Sequence, residues 1–236
     1  MVGTHTDSPV LRIKPHSKKQ ADGFLQVGVE TYGGGKWMTW FDRDLSIAGR
    51  LMVRDSEKVV QKLVKVDRPI LRIPTLAIHL DRAEDFTFNK ETQLFPIAGL
   101  VAAELNRQSA TGTAATTESA KDDNSEDTTS PPIKAVTERH HPYIVQIVAQ
   151  EAGCDVTNIV DFELILYDTQ KSCLGGLNSE LIFSPRLDNL MMTYCGIQSI
   201  IKSLDSGSLD NDQTIRVLAC FDHEVIPFVD LEFERR

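Results

Sequence analysis

Three short clusters hold side chains able to do chemistry: His5-Thr6-Asp7-Ser8-Pro9, Ser184-Pro185-Arg186-Leu187-Asp188-Asn189 and Phe221-Asp222-His223-Glu224. In an extended chain residues i and i+2 face the same side, so Asp7 can lie beside His5. A carboxylate that accepts the Nδ1 hydrogen fixes the imidazole tautomer and aims Nε2 at a metal ion. An isolated HxD pair is more often a loop histidine next to a turn aspartate. Asp188 precedes a long helix and reads either as its N-cap or as a carboxylate presented to a cation at a strand–helix junction. Glu224 follows an apolar strand and has the type and place of a general base acting on metal-activated water. Each cluster sits at the edge of an apolar run, where binding groups are commonly mounted. Taken singly, none decides a function.

The elements that must hold these clusters follow from periodicity. Positions 11–72 are strand-like: residues 23–30 (GFLQVGVE), 45–54 (LSIAGRLMVR) and 58–66 (KVVQKLVKV) are short β-branched runs parted by turn residues. Gly33-Gly34-Gly35-Lys36 has the glycines of a phosphate loop, but Trp37 stands where a Ser or Thr must hold magnesium. A tight crossing of backbone is the expectation there instead. Residues 96–107 (PIAGLVAAELNR) read as a helix. Residues 108–132 are rich in Ser, Thr, Ala and acids, lack large apolar side chains and end in Pro-Pro, which predicts a disordered surface loop. Residues 142–153 read as a helix with a glycine stop, and 160–167 as a strand. Residues 188–204 make the strongest helix, with Leu190, Met191, Tyr194, Ile197, Ile200, Ile201 and Leu204 on one stripe. Residues 214–221 read as a strand. Strands first, then strand–helix–strand, predict an α/β chain in which a β-rich module is attached to an α/β unit.

Composition bounds the function classes. The chain has 236 residues, 41% apolar and 25% charged, which is ordinary globular composition and excludes a fibre or wholesale disorder. A formal net charge of −9 argues against a general nucleic-acid binder. Within 11–72 the balance reverses, with 13 Lys and Arg against 7 Asp and Glu; a solvated basic sheet face is the expectation. The longest apolar run falls far short of the ~20 residues that span a bilayer. Residues 1–4 carry no basic-then-apolar leader. The four cysteines, Cys154, Cys173, Cys195 and Cys220, form no CxxC pair and fit free thiols in a reducing compartment. The expectation is a soluble, acidic, cytoplasmic chain with no nucleic-acid or membrane partner.

Taken together the clusters say more. The order HTDSP, TYGGG-x-W-x-TWFDRDL, RPILRIP-x-LAIHL, ERHH, PRLDN and FDHE closely resembles the aspartyl aminopeptidases. These are dinuclear zinc exopeptidases that remove N-terminal Asp or Glu from peptides. The resemblance runs from about residue 2 to 225 and is interrupted only by the acidic stretch. It implies part of a zinc-peptidase α/β catalytic domain with an inserted β-rich dimerisation domain. Residues 1–10 would open the catalytic domain, 11–182 would form the β-rich domain with its loop at 108–132, and 183–236 would continue the catalytic domain.

The same resemblance implies roles. His5 is a zinc ligand with Asp7 as its orienter, and Asp188 bridges two zinc ions that sit ~3.5–4 Å apart. Glu224 deprotonates a zinc-bound water for attack on the peptide carbonyl and carries the proton to the leaving amine. His79 matches a histidine that reaches across a subunit interface into a neighbour's site. The implied assembly is therefore a homo-oligomer, typically a tetrahedral dodecamer, and some relatives are delivered to the vacuole. Two departures accompany the match. The family doubles the glutamate after the strand, with the second binding zinc, whereas Val225 follows Glu224 here. Residues 226–236 no longer follow the family pattern. The expectation is a piece of a longer peptidase, inactive by itself, with a non-catalytic interaction subunit built on the β-rich domain as the competing reading.

Overall fold

A computed structural model describes residues 2–80, 86–111, 134–205 and 213–222. In chain order the strands and helices are β1 (Val2–His5), β2 (Val10–Ala21), β3 (Phe24–Tyr32), β4 (Leu45–Asp55), β5 (Lys58–Lys65), β6 (Ile97–Leu100), α1 (Val101–Thr111), α2 (Val136–Arg139), α3 (Pro142–Ala152), β7 (Ile159–Asp168), β8 (Cys173–Gly175), β9 (Leu181–Phe183), α4 (Leu187–Asp205) and β10 (Leu218–Phe221). The chain is α/β in class. It divides into two compact units: Met1–Val10, Thr31–Lys36 and Gln170–Arg236 form one, and Leu11–Glu30 with Trp37–Thr169 form the other.

The second unit is built on a six-stranded sheet of order β5-β4-β7-β2-β3-β6. Alternation along β4 decides its inner face: Leu45, Ile47, Leu51 and Val53 are buried, while Arg50 and Arg54 are exposed. Gly49 occupies the middle of that row because a Cβ there would run into the main-chain carbonyl of Glu163 on β7. Leu164 and Leu166 of β7 complete the centre. Helix α3 lays Ile144, Val145, Val148 and Ala149 on the same core, at helical spacing. It stops at Gly153, whose left-handed φ of 58° lets its N–H reach back to the carbonyls of Ala149 and Gln150. Beneath the sheet Ser17 and His140 pair through Oγ and Nδ1 at 2.8 Å, and both are 1% exposed.

Several expectations need correction. Residues 97–100 are a strand, β6, not the start of a helix. Ile97 pairs with Gln26 of β3 and bridges Arg72, while Pro96 O accepts from Val27 N at 2.9 Å; sheet pairing outweighs the helix-start signal of Pro96. The helix that follows continues through Thr111, four residues into the stretch read as loop, and residues 112–133 lie outside the described residues. β10 covers Leu218–Phe221 only, matched residue for residue by the four residues of β1. Of the three glycines at 33–35, Gly33 turns with φ of 91°, and Gly34 is not at a close backbone crossing, since a Cβ there would meet open space. Strand β2, twelve residues long, keeps its polar stretch KPHSKKQ in extended form between β7 and β3.

The first unit holds β1 parallel to β10, the antiparallel pair β8–β9, and α4. Asp188 and Asn189 depart from helical angles (ψ 114° and 20°), so the regular turns of α4 follow them.

Candidate active site

β1 and β10 run in register, with His5 opposite Phe221, so both strands end together. Ligand sites of α/β sheets gather beyond the carboxyl ends of parallel strands, where loops are free to carry function. The chain beyond β1 is pinned at that end, because Thr6 N and Thr6 Oγ1 both donate to the Phe221 carbonyl, at 2.7 and 3.0 Å. Helix α4 is locked to the same place: Thr193 Oγ1 lies 3.1 Å from Thr4 Oγ1 and 3.2 Å from the His5 carbonyl. Thr4, His5 and Thr193 are buried. Polar groups join α4 to β1 here.

That packing fixes one imidazole. His5 Nδ1 stands 3.0 Å from the main-chain carbonyl of Asp7 and 3.4 Å from Asp7 Oδ1, and Nε2 stands 3.2 Å from Asp188 Oδ1. Spacing alone puts the Asp7 carboxylate on Nδ1; the nearer acceptor is the Asp7 carbonyl, with the carboxylate behind it. The Asp7 oxygens favour a proton on Nδ1, and Asp188 Oδ1 faces Nε2. Asp188 therefore does not act as an N-cap: among the described residues its carboxylate meets His5 rather than a helix N–H. Its side chain is 94% exposed, while that of Asp7 is 6% exposed with neither oxygen hydrogen-bonded.

The donor set fits part of a zinc site. A lone-pair nitrogen facing a carboxylate oxygen needs a proton or a cation between them. Two donors bound at ~2.0–2.1 Å to one tetrahedral zinc stand ~3.3 Å apart, close to the spacing found here. The buried, unsatisfied Asp7 carboxylate behind the ring is likewise a charge in want of a cation. Among the described residues no group of three or more His, Cys, Asp or Glu converges on one point, so His5 and Asp188 are a partial set.

Of the other expected residues, Glu224 lies outside the described residues. Asp222, two positions before it, follows the last residue of β10. His79 belongs to the second unit, in an exposed turn after Pro74. Thr4, Thr6 and Thr193 escaped the sequence reading. Thr4 and Thr193 are 189 positions apart, and no local spacing could have joined them.

A parallel-strand end that presents a histidine, its buried aspartate and an exposed aspartate is a partial metal-ligand set at the place where α/β sheets carry function. A family model described as aminopeptidase I zinc metalloprotease (M18) matches residues 1–227, and the chain belongs to that family. It is 63% identical over 228 residues to an aspartyl aminopeptidase of Aspergillus oryzae, covering 96% of this chain and 46% of the relative. A solved structure of an Ape4 and Nbr1 complex is 47% identical with a TM-score of 0.76, covering 97% of this chain and 41% of that one. The mApe1 dodecamer of Saccharomyces cerevisiae is 25% identical with a TM-score of 0.67, covering 95% and 43%. The chain thus spans about half the length of the curated relatives it matches. No helix among the described residues is long and apolar enough to cross a membrane.

Proposed function

We propose that these residues belong to a zinc aminopeptidase that releases N-terminal Asp or Glu from peptides and works as a homo-oligomer. The observation that carries the reading is the 3.2 Å approach of His5 Nε2 to Asp188 Oδ1, backed by the buried Asp7 carboxylate. His5 and Asp188 would hold zinc, with the Asp188 carboxylate supplying negative charge that offsets the charge of the metal. When bound, zinc supplies Lewis acidity that polarises a carbonyl and acidifies water. Asp7 holds the His5 ring in the tautomer that keeps Nε2 a donor to metal. Glu224 takes the proton from the attacking water and returns it to the leaving amine. His79 serves a neighbouring subunit's site, and the unit Leu11–Glu30 with Trp37–Thr169 provides the dimerisation surface. A cytoplasmic location fits four cysteines that are all unpaired.

A catalytic zinc takes three protein ligands, and two are assigned here. Hydrolysis therefore needs donors beyond the described residues. The competing reading, a non-catalytic interaction subunit, is favoured by the self-contained core of the β-rich unit. The test is zinc content per folded chain together with Asp release from an Asp-peptide. Little zinc and no release by this chain, with release by a relative-length chain that Glu224→Gln abolishes, supports the peptidase reading. A relative-length chain that holds zinc-free His5 and releases no Asp overturns it in favour of the interaction role.

A further inference from the structure

The turn that carries His79 is exposed and apolar: Leu76, Ile78 and Leu80 are 62, 75 and 76% exposed. Contacts on either side of His79 grip the chain. Before it, Leu71 and Ile73 are buried, and Asp42 N donates to the Ile73 carbonyl at 2.8 Å. Asp42 then takes Thr75 with both carboxylate oxygens. Oδ1 accepts from Thr75 N at 3.1 Å and Oδ2 from Thr75 Oγ1 at 2.5 Å. On the other side of the segment, Phe41 stacks edge-on against Phe86 and Phe88, with ring centroids 4.9 Å apart in each case. Two adjacent residues therefore hold the chain on both sides of His79.

Those two residues are themselves firmly rooted. They follow a 3-10 turn, Trp37–Trp40, whose Trp37 is 5% exposed in the core. They precede β4, whose Leu45 exchanges main-chain hydrogen bonds with Leu71 at 3.0 Å. Asp42 adopts a left-handed φ of 57°, which aspartate tolerates better than most residues. Arg72 faces it from the residues just before the segment, with Nη2 3.9 Å from Asp42 Oδ1 and Nη1 2.7 Å from Asp44 Oδ1.

We propose that Phe41 and Asp42 are positioning residues that hold Thr75 before His79 and Phe86 and Phe88 after it, and so present His79 at a fixed place. The inference deepens the peptidase reading and rests on it for the use made of His79. The clamp itself stands on the contacts above. It acts through the backbone at Thr75, so the hydroxyl and amide of Thr75 are the points where it breaks.

Hydrogen exchange of the Thr75 amide and the NMR signature of the His79 ring test it in the folded chain. Asp42→Ala is expected to speed exchange at Thr75 about tenfold, the loss of a charge-assisted hydrogen bond, and to collapse the His79 signals to their random-coil positions. Asp42→Asn, which keeps an acceptor for Thr75 N, is expected to restore much of the protection. Amides of β4 are expected to stay unchanged. Unaltered exchange at Thr75, or equal acceleration throughout β4, overturns the clamp. In the oligomeric peptidase, Asp42→Ala is expected to lower kcat/KM with zinc content unchanged and with partial rescue by Asn. Hydrolysis that falls while Thr75 exchange stays the same also overturns the clamp. A responding clamp in a protein that hydrolyses no Asp-peptide supports the clamp and overturns the peptidase reading.

Discussion

The two units use the same apolar patterning and end differently. In the β-rich unit, Ile144, Val145 and Val148 of α3 are no more than 5% exposed, and β4 buries Leu45, Ile47, Leu51 and Val53 to 2% or less. In the other unit the stripe of α4 has the same helical spacing, yet Leu190, Tyr194, Ile197, Ile201 and Leu204 are 39 to 62% exposed among the described residues. Its buried side chains include the polar Thr4, His5 and Thr193. Periodicity states that a face is meant to be covered; it does not state by what. One unit draws its stability from a core of its own, and the other spends its buried positions on orienting polar groups.

The largest effect that would break this comparison is a cavity. Leu166 is fully buried between β4 and its neighbours, so Leu166→Ala is expected to cost about 3–4 kcal/mol in urea unfolding. Ile197→Ala on α4 removes a side chain that is 41% exposed and is expected to cost less than about 1 kcal/mol. It should also reduce self-association, because it shrinks an open apolar patch. Equal costs at the two positions would show that α4 is covered as fully as the sheet.

What the amino-acid sequence discloses divides along the same line. Strands β4 and β5 and helix α3 are legible because their buried faces recur with periods of two and 3.6 within one short window. β2 is not, since its polar half is extended within a strand that lies between β7 and β3 rather than by its own composition. β6 is missed for the opposite reason: a local helix signal at Pro96 yields to partners on β3 and at Arg72 that are distant in sequence. In the site, the pairing of His5 with Asp7 is readable from spacing, although the carbonyl's share in it is not. The meeting of His5 with Asp188, 183 positions away, is produced by the β1–β10 register and by Thr193. No local pattern reports it; only a family resemblance joins the two clusters.

A second test acts on the β-rich unit through pH. Burial, followed by the neighbouring Arg139 guanidinium, pushes the His140 imidazole down to about 4. The neutral ring is the form that folds. The stability it contributes is complete above the ordinary value of 6.5 and is lost as pH falls from there toward 4. The expected loss is about 2 kcal/mol by pH 5 relative to pH 7.5, read from urea midpoints at the two pH values. Replacing the ring, as in His140→Gln, should flatten the profile over this range even though it lowers stability throughout. A wild-type profile that is flat between pH 7.5 and 5 would mean the imidazole gains its proton in place, with a partner for Nε2 that compensates the charge.

The smallest effect is the most specific to the site. Asp7 keeps a carboxylate buried without a hydrogen-bond donor, an arrangement that costs stability unless a cation stands beyond His5. Asp7→Asn keeps the shape and removes the charge. In the absence of zinc this variant is expected to unfold at equal or higher urea, by up to about 1 kcal/mol. With zinc its affinity should fall about tenfold, as when the partner of a ligating histidine is lost. The two effects have opposite signs, which no purely structural role for Asp7 produces. A core position such as Leu166 would lose stability with and without the metal alike. If Asp7→Asn destabilises the zinc-free chain and leaves zinc affinity untouched, Asp7 belongs to the packing of β1 rather than to a metal site.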